Sequence, residues 1–204
     1  MINNKVESIK EHLMEIMKIL EIEPTESNKN TSLRIAKMWV NEVFANVNDY
    51  NIKELKDTMT VFPKEGDTDL VVVKDIPFCS TCEHHFMPFF GTVSVGYVPR
   101  DSIIGLSKIP RIVKYFSKRP QLQERYTTDI GEFLVKTLNP LAVFIEVEAE
   151  HTCVKCRGAE SDCKTHTSYK WWDENYVLID EFGTAIYLDF PQYYEEFKER
   201  IRCY

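Results

Sequence analysis

Apolar residues in the first part of the chain recur every three or four positions, which is typical of amphipathic helices. A first helix is predicted over residues 4–20, and Pro24 with the polar residues after it ends this helix. A second helix is predicted to follow Thr31 or Ser32 as its N-cap. The apolar stripes consist of Val6, Ile9, Leu13, Ile16 and Leu20 in the first helix and of Ile35, Trp39, Val43 and Val47 in the second.

The hydrophobic period changes after residue 69. Residues 70–76 form an apolar run and residues 91–98 alternate between apolar and polar or small side chains, so both are predicted to be strands. One helix is predicted after Ser107, another from Pro120 onward, and a further strand over residues 141–151. The order strand, strand, helix, helix, strand is typical of an α+β domain whose antiparallel sheet carries its helices on one side.

The polar residues 48–69 are predicted to be irregular and to separate two regions of the chain. We therefore expect an N-terminal helical region, residues 1–68, and a main domain, residues 69–204. The tail of the main domain is predicted to add a strand at residues 166–172, an extra hairpin that turns near Gly183, and a short last helix.

Composition and charge restrict the partners of the protein. The chain has 44% hydrophobic and 28% charged residues, which is typical of globular proteins. Its net charge of −7 disfavours non-specific binding to nucleic acid, which needs a basic face. No apolar run approaches the length of a membrane span, and the N-terminus lacks the apolar core of a signal peptide. We therefore expect a cytoplasmic protein with reduced cysteines and with neither nucleic acid nor a membrane as partner.

Two Cys-x-x-Cys pairs, far apart in the sequence, indicate a metal site. In one interpretation, Cys79, Cys82, Cys153 and Cys156 form a closed four-cysteine zinc site, which would have a structural role. Such sites usually separate their two pairs by about 15–20 residues. This interpretation also leaves the histidines beside both pairs without a role.

In a second interpretation the ligands are mixed, as in catalytic zinc sites, which use three protein ligands and leave one position to water. Cys82 and His85 are three residues apart and can bind one ion from a single turn. If the strand predicted from residue 141 continues beyond residue 151, its period of two places His151 and Cys153 on the same face. His84 and His151 then remain available for proton transfer. The spacing leaves both interpretations open.

Four segments of the chain carry a resemblance to a known family: STCEHHFMPFFG, GLSKIPRIVKYFSKRPQLQERYT, EHTCVKCRG and RIAKMWVNEVF. Over roughly residues 5–170 the sequence resembles GTP cyclohydrolase I. The resemblance implies a T-fold, in which neighbouring subunits close an oligomeric β-barrel, and a homo-oligomer that is usually a decamer of two face-to-face pentamers. It also implies hydrolysis of GTP to formate and 7,8-dihydroneopterin triphosphate, a first step of pterin, folate or deazaguanine biosynthesis.

The resemblance also assigns the metal ligands and the groups that move protons. It implies one Zn²⁺ ion per subunit, held by Cys82, His85 and Cys153. It implies His84 and His151 as acid and base groups near the purine ring and the ribose.

The remaining site residues follow from the same resemblance. Glu124 matches a guanine-binding carboxylate, which accepts hydrogen bonds from N1–H and the 2-amino group that adenine cannot supply. Gln123 matches a neighbouring pocket position, and Ser107 matches a serine that assists the rearrangement. The implied triphosphate contacts are Lys108, Arg111, Arg157 and Lys37.

Two other functions compete with this prediction. One is another T-fold enzyme that binds a purine or pterin without opening the ring. The other is a non-enzymatic binding module that zinc stabilises. Beyond Thr167 the tail is longer than is usual in the family, so the resemblance assigns the segment 174–192 no role.

Overall fold

A five-stranded sheet forms the centre of the computed structural model, which describes residues 2–48, 52–66, 69–179 and 181–202. In spatial order its strands are β5 (Pro120–Gln121), β2 (Val71–Cys82), β3 (Pro88–Val98), β6 (Ala142–His151) and β7 (Lys164–Trp172). Neighbouring strands are antiparallel except for β5, which pairs in parallel with the end of β2. The predicted strands and the mixed α+β class are thus confirmed.

One face of the sheet packs against α4 (Lys108–Ser117) and α5 (Gln123–Leu138). This face holds the main hydrophobic core. The apolar face of α4 is buried: Ile109, Ile112, Val113 and Phe116. Gly131 lets α5 approach the sheet closely, because a Cβ atom there would lie 2.2 Å from Cδ1 of Tyr169.

The opposite face of the sheet is covered by the C-terminal helix α7 (Phe190–Arg202). Phe197 of this helix is fully buried between Phe144 and Gly96, where a Cβ atom would lie 2.6 Å from the Phe197 ring. The prediction that helices lie on one side only is therefore wrong. The reason is that Phe144 and Leu70 also present apolar side chains to the second face, and α7 buries them.

The N-terminal region consists of α1 (Ile2–Ile19) packed against α2 (Thr31–Met38), which continues as the π-helical turn Trp39–Val43. Both predicted helices are confirmed. The predicted N-cap is wrong, because Asn30 occupies the cap position and makes no side-chain cap hydrogen bond.

Residues 48–69 are more regular than predicted. The short helix α3 (Ile52–Asp57) places Leu55 in the main core, and β1 (Val61–Pro63) pairs with β4 (Ser102–Ile104). Both elements therefore bind this segment to the main domain. The predicted boundary between the two regions falls at residue 68, and residues 67 and 68 lie outside the described residues. The division into an N-terminal region and a main domain therefore stays a prediction.

Pro120 does not open a helix, which corrects a further prediction. Pro120 pairs with Thr81 in the parallel ladder of β5 and β2, and α5 begins only at Gln123. Pro120 has no N–H to donate, which suits the end of a sheet rather than its centre.

The tail follows the predicted order of elements. The strand predicted at residues 166–172 is β7, and the hairpin is formed by β8 (Val177–Ile179) and β9 (Ala185–Tyr187). Gly183 turns the hairpin at a φ of +81°, a conformation that favours glycine. In the described part of the chain, no helix is long and apolar enough to cross a membrane.

Candidate active site and metal centre

Cys82, His85 and Cys153 come together where β2 and β6 end. Cys82 is the last residue of β2, His85 lies in the turn that follows, and Cys153 lies in the one-turn helix α6 (Thr152–Lys155). Their ligand atoms all lie within 4.8 Å of one another. A tetrahedral zinc ion needs sulfur and nitrogen atoms about 3.5–3.8 Å apart, given Zn–S and Zn–N bonds of about 2.3 and 2.0 Å. The donor types and the spacing therefore fit zinc after a small contraction.

The other two cysteines of the Cys-x-x-Cys pairs do not join this group. Cys79 and Cys156 are exposed, whereas Cys82 and Cys153 are buried. In the described part of the chain, the metal-binding group comprises two thiols and one imidazole. The geometry thus supports the mixed ligand set over the closed four-cysteine site.

Burial raises the pKa of the Cys153 thiol, and the neighbouring Cys82 raises it further, while Arg157 lowers it. The Cys153 thiol therefore resists ionisation in the absence of a cation. A bound cation reverses this, because it stabilises the thiolates that are its ligands.

The turn that carries His85 is held from both sides. The Cys82 N–H donates to the Met87 carbonyl at 2.8 Å, and the Phe86 N–H donates to the Cys82 carbonyl at 2.9 Å. The Phe86 ring packs against Trp39 and Phe44, with ring centroids 6.4 and 5.4 Å apart. The N-terminal region thus helps to position the metal-binding turn.

Two further histidines lie beside the metal group. Nδ1 of His84 is 3.8 Å from the Sγ atom of Cys82. The ring of His151 is stacked on Phe89, with centroids 4.6 Å apart and planes 4° apart. Burial lowers the pKa of His151, and the nearby Glu124 carboxylate raises it in partial compensation.

Gln123 and Glu124 form the first turn of α5 next to these histidines. Glu124 is exposed and close enough to act electrostatically on His151. Gln123 is only 3% exposed, and its Oε1 atom lies 2.9 Å from Nε2 of His151. Glu124 is thus available to a ligand, whereas the Gln123 side chain is engaged inside the protein.

Ser107, Lys108 and Arg111 lie at the N-terminal end of α4. The other end of this helix approaches the metal side, because the Ser80 hydroxyl donates to the Ser117 carbonyl at 2.8 Å. A ten-residue helix is about 15 Å long. The structure thus places these three residues together at the start of α4, and their role at the site stays a prediction.

The two remaining predicted phosphate contacts lie on different elements. Arg157 follows α6 and is close enough to Cys153 to affect its thiol. Lys37 lies in the last turn of α2, in the N-terminal region. The structure thus brings Arg157 to the metal group, and it leaves the role of Lys37 a prediction.

A family profile described as GTP cyclohydrolase I matches residues 9–177. The chain belongs to the GTP cyclohydrolase I family. It is 41% identical over 165 residues to GTP cyclohydrolase 1 of Caldanaerobacter subterraneus subsp. tengcongensis, covering 79% of this chain and 85% of the relative. It is 43% identical over 152 residues to GTP cyclohydrolase 1 of Serratia proteamaculans, covering 74% and 67%.

The family makes the chain a hydrolase. Among solved structures, the apo form of the archaeosine synthase QueF-Like aligns with 52% of this chain and 95% of its own, at 20% identity and a TM-score of 0.43. The family match ends at residue 177, so nearly all of the β8–β9 hairpin and all of α7 lie beyond it.

Sequence reasoning missed the residues that hold His151. Phe89 lies directly opposite His151 in the pairing of β3 with β6. Thr165 and Thr167 lie one period apart on β7 and contact Gln123. The alternation of β7 was a usable signal for these threonines, but their contact with α5 depends on packing that no spacing reveals.

Proposed function

We propose that this protein hydrolyses GTP to 7,8-dihydroneopterin triphosphate and formate, at the start of a pterin, folate or deazaguanine pathway. One observation carries the proposal: a Cys-His-Cys metal group lies beside two further histidines. That combination suits hydrolysis accompanied by several proton transfers. Membership of the GTP cyclohydrolase I family supports the same reaction.

Cys82, His85 and Cys153 would hold one Zn²⁺ ion per subunit. Three protein ligands leave an open position, so zinc when bound supplies a Lewis acid that activates water for attack on C8 of guanine. The two buried thiols and His85, in the turn that Phe86 packs against the N-terminal region, would hold the ion.

His84 and His151 would move the protons of the reaction. Opening of the imidazole ring breaks the C8–N9 bond, and a second hydrolysis breaks the C8–N7 bond and releases C8 as formate. Each cleavage needs a proton removed from water and one delivered to the departing nitrogen. Ser107 would assist the later rearrangement of the ribose, which precedes closure of the pterin ring.

Recognition of GTP is assigned to residues around this centre. Glu124 would accept hydrogen bonds from guanine N1–H and the 2-amino group. The triphosphate would be bound by the cationic side chains of Lys108, Arg111, Arg157 and Lys37. Their positive charges would offset the negative charge of the triphosphate, although the protein as a whole is acidic. Gln123, which the resemblance places at the substrate pocket, would keep its side chain inside the protein, against His151.

A homodecamer with a T-fold barrel and sites shared between subunits completes the proposal. In the described part of the chain, β7 is an edge strand, and β2 is paired on its outer side only at Thr81 and Cys82. Soluble proteins pair or cover such edges. The N-terminal helical region would flank the barrel, and we expect the protein to act in the cytoplasm.

The decisive experiment incubates the purified, zinc-loaded protein with GTP. Formate release and a pteridine fluorophore, measured after oxidation, should appear in equal amounts. ATP and the His85→Ala variant serve as controls and should yield neither product. Formate without pteridine would indicate another purine hydrolase, and tight GTP binding without turnover would indicate a binding module.

A further inference from the structure

The amide of Gln123 is held between two strands of the sheet. Its Nε2 atom lies 3.1 Å from the Val147 carbonyl oxygen, 3.3 Å from the Thr165 carbonyl oxygen and 3.2 Å from Oγ1 of Thr167. Backbone carbonyl oxygens accept hydrogen bonds and cannot donate them. Two such acceptors therefore fix which end of the amide is the nitrogen.

The oxygen end of the same amide then faces His151. Oε1 of Gln123 lies 2.9 Å from Nε2 of His151 and also accepts a hydrogen bond from the Thr165 hydroxyl. An amide oxygen only accepts, so Nε2 of His151 must carry the hydrogen. In a neutral imidazole one nitrogen is the donor and the other is the acceptor, so Nδ1 is left as the acceptor.

The plane of the His151 ring is fixed independently. Phe89 stacks on it with the two planes 4° apart, and Phe89 itself is fully buried. The stacked ring and the hydrogen bond at Nε2 together leave the imidazole one orientation and one neutral tautomer.

We propose that Gln123 is a positioning residue that fixes the Nε2–H tautomer of His151, so that Nδ1 accepts the proton in the hydrolysis. The inference rests on the proposed function and changes the role of Gln123 from substrate contact to support of a base. Partners that orient metal-ligating histidines are typically worth about 10–100-fold in activity, and we expect a similar scale for His151.

Steady-state kinetics separate the two roles. Gln123→Met removes the acceptor at similar volume, and kcat for GTP should fall by about 10–100-fold with KM unchanged. Gln121→Met is the matched control, because Gln121 is equally buried and hydrogen-bonded to Phe116 and Asp129 but does not contact His151. The control should keep its kcat; a rise in KM with unchanged kcat in Gln123→Met would restore the role of substrate contact.

A double variant tests whether Gln123 acts through His151. In the His151→Ala background, Gln123→Met should cause no further loss of kcat, because the group it positions is gone. A merely structural role would lower kcat again. If Gln123→Met does not fold, Gln123→Glu keeps an oxygen acceptor for His151, and it should retain more kcat than Gln123→Ala.

The tautomer can be observed without turnover. Magic-angle-spinning NMR of zinc-loaded protein labelled with ¹⁵N-histidine, with His151 assigned from the His151→Ala spectrum, should show hydrogen on Nε2 of the neutral ring. Gln123→Met should lose this preference. An active wild type with hydrogen on Nδ1 would overturn the inference alone, whereas a wild type without GTP turnover would overturn the proposed function.

Discussion

At the scale of single residues, the metal ligands are the most direct test of the site. Cys82→Ser, His85→Ala and Cys153→Ser should each release zinc and abolish activity, because each removes one of three ligands. Cys79→Ser and Cys156→Ser should keep both, since these two thiols are exposed and lie outside the group. Zinc analysis of the five purified variants decides the ligand set. A metallated His85→Ala together with zinc-free Cys79→Ser would restore the four-cysteine site.

Glu124 tests recognition of the base separately from chemistry. Glu124→Ala should lower kcat/KM for GTP by about 10–100-fold, because hydrogen bonds to a charged group contribute about 1.5–3 kcal/mol. The discrimination against ATP should shrink by the same factor. Competition assays with the two nucleotides measure this, with Glu132→Ala, an exposed carboxylate further along α5, as control. Unchanged discrimination in Glu124→Ala would remove the carboxylate from base recognition.

The extent of prediction from sequence differs among these residues. That Cys82 and His85 lie close together was predictable, since residues three apart in one turn can bind one ion, although the spacing left the four-cysteine site open. The hydrogen bond between Gln123 and His151 was not predictable. It depends on how α5 packs across β6 and β7, and the sequence does not show how a helix and a sheet are aligned. Local chemistry is therefore visible in the sequence, and contacts between elements are not.

At the scale of elements, α7 depends on a glycine in the sheet. Gly96→Ala would place a Cβ atom 2.6 Å from the buried Phe197 ring, and such overpacking costs about 1–3 kcal/mol. Replacement of glycine by alanine gains at most about 1 kcal/mol from the unfolded state. The cost of the clash should therefore exceed the gain from the unfolded state, so Gly96→Ala should lower the free energy of unfolding.

Thermal and denaturant unfolding measure this effect, with Gly105→Ala as control because a Cβ atom there meets nothing closer than 3.6 Å. Phe197→Leu should suppress part of the Gly96→Ala effect, since the smaller side chain gives way. Equal destabilisation by Gly96→Ala in both backgrounds would show that the helix does not pack here in solution.

Among the elements, the long periodic ones were predicted and the short ones were not. The alternation at Val93, Val95 and Tyr97 marked β3, and all three side chains are buried. The two-residue strand at Pro120 and the short helix α3 carry too few residues to show a period. The second layer was missed because Phe144 packs on Phe197, which is far along the chain, and no spacing pairs the two.

At the scale of the whole molecule, the hairpin β8–β9 presents apolar side chains that one chain does not bury. Ile179, Phe182 and Tyr187 are 64%, 85% and 75% exposed. Tyr176 and Leu188, by contrast, pack on the apolar cluster that α7 forms with Phe144. We expect the exposed part to pack at a subunit interface. Replacing residues 177–187 by a short Gly-Ser link should keep zinc but weaken the proposed homo-oligomer, as measured by light scattering over a range of concentrations. A truncated protein of unchanged size and stability would contradict this role.

The proposal that sites are shared between subunits gives a prediction about mixtures. Arg111 lies in the first half of α4, and His151 lies two residues before Cys153 of the metal group. If each site takes Arg111 from one subunit and His151 from its neighbour, subunits carrying Arg111→Ala complement those carrying His151→Ala.

Co-expression of the two variants at equal levels makes the expectation quantitative. A site is intact only when the subunit with the metal group carries the Arg111 change and its neighbour carries the His151 change. With random assembly in a closed ring this holds for about one quarter of the sites, so the mixture should regain about a quarter of wild-type turnover although each variant alone is nearly inactive. Mixing the variants after each has assembled separately is the control and should regain nothing until subunits exchange. If both residues serve the same subunit's site, the co-expressed mixture can reach only the mean of the two low activities.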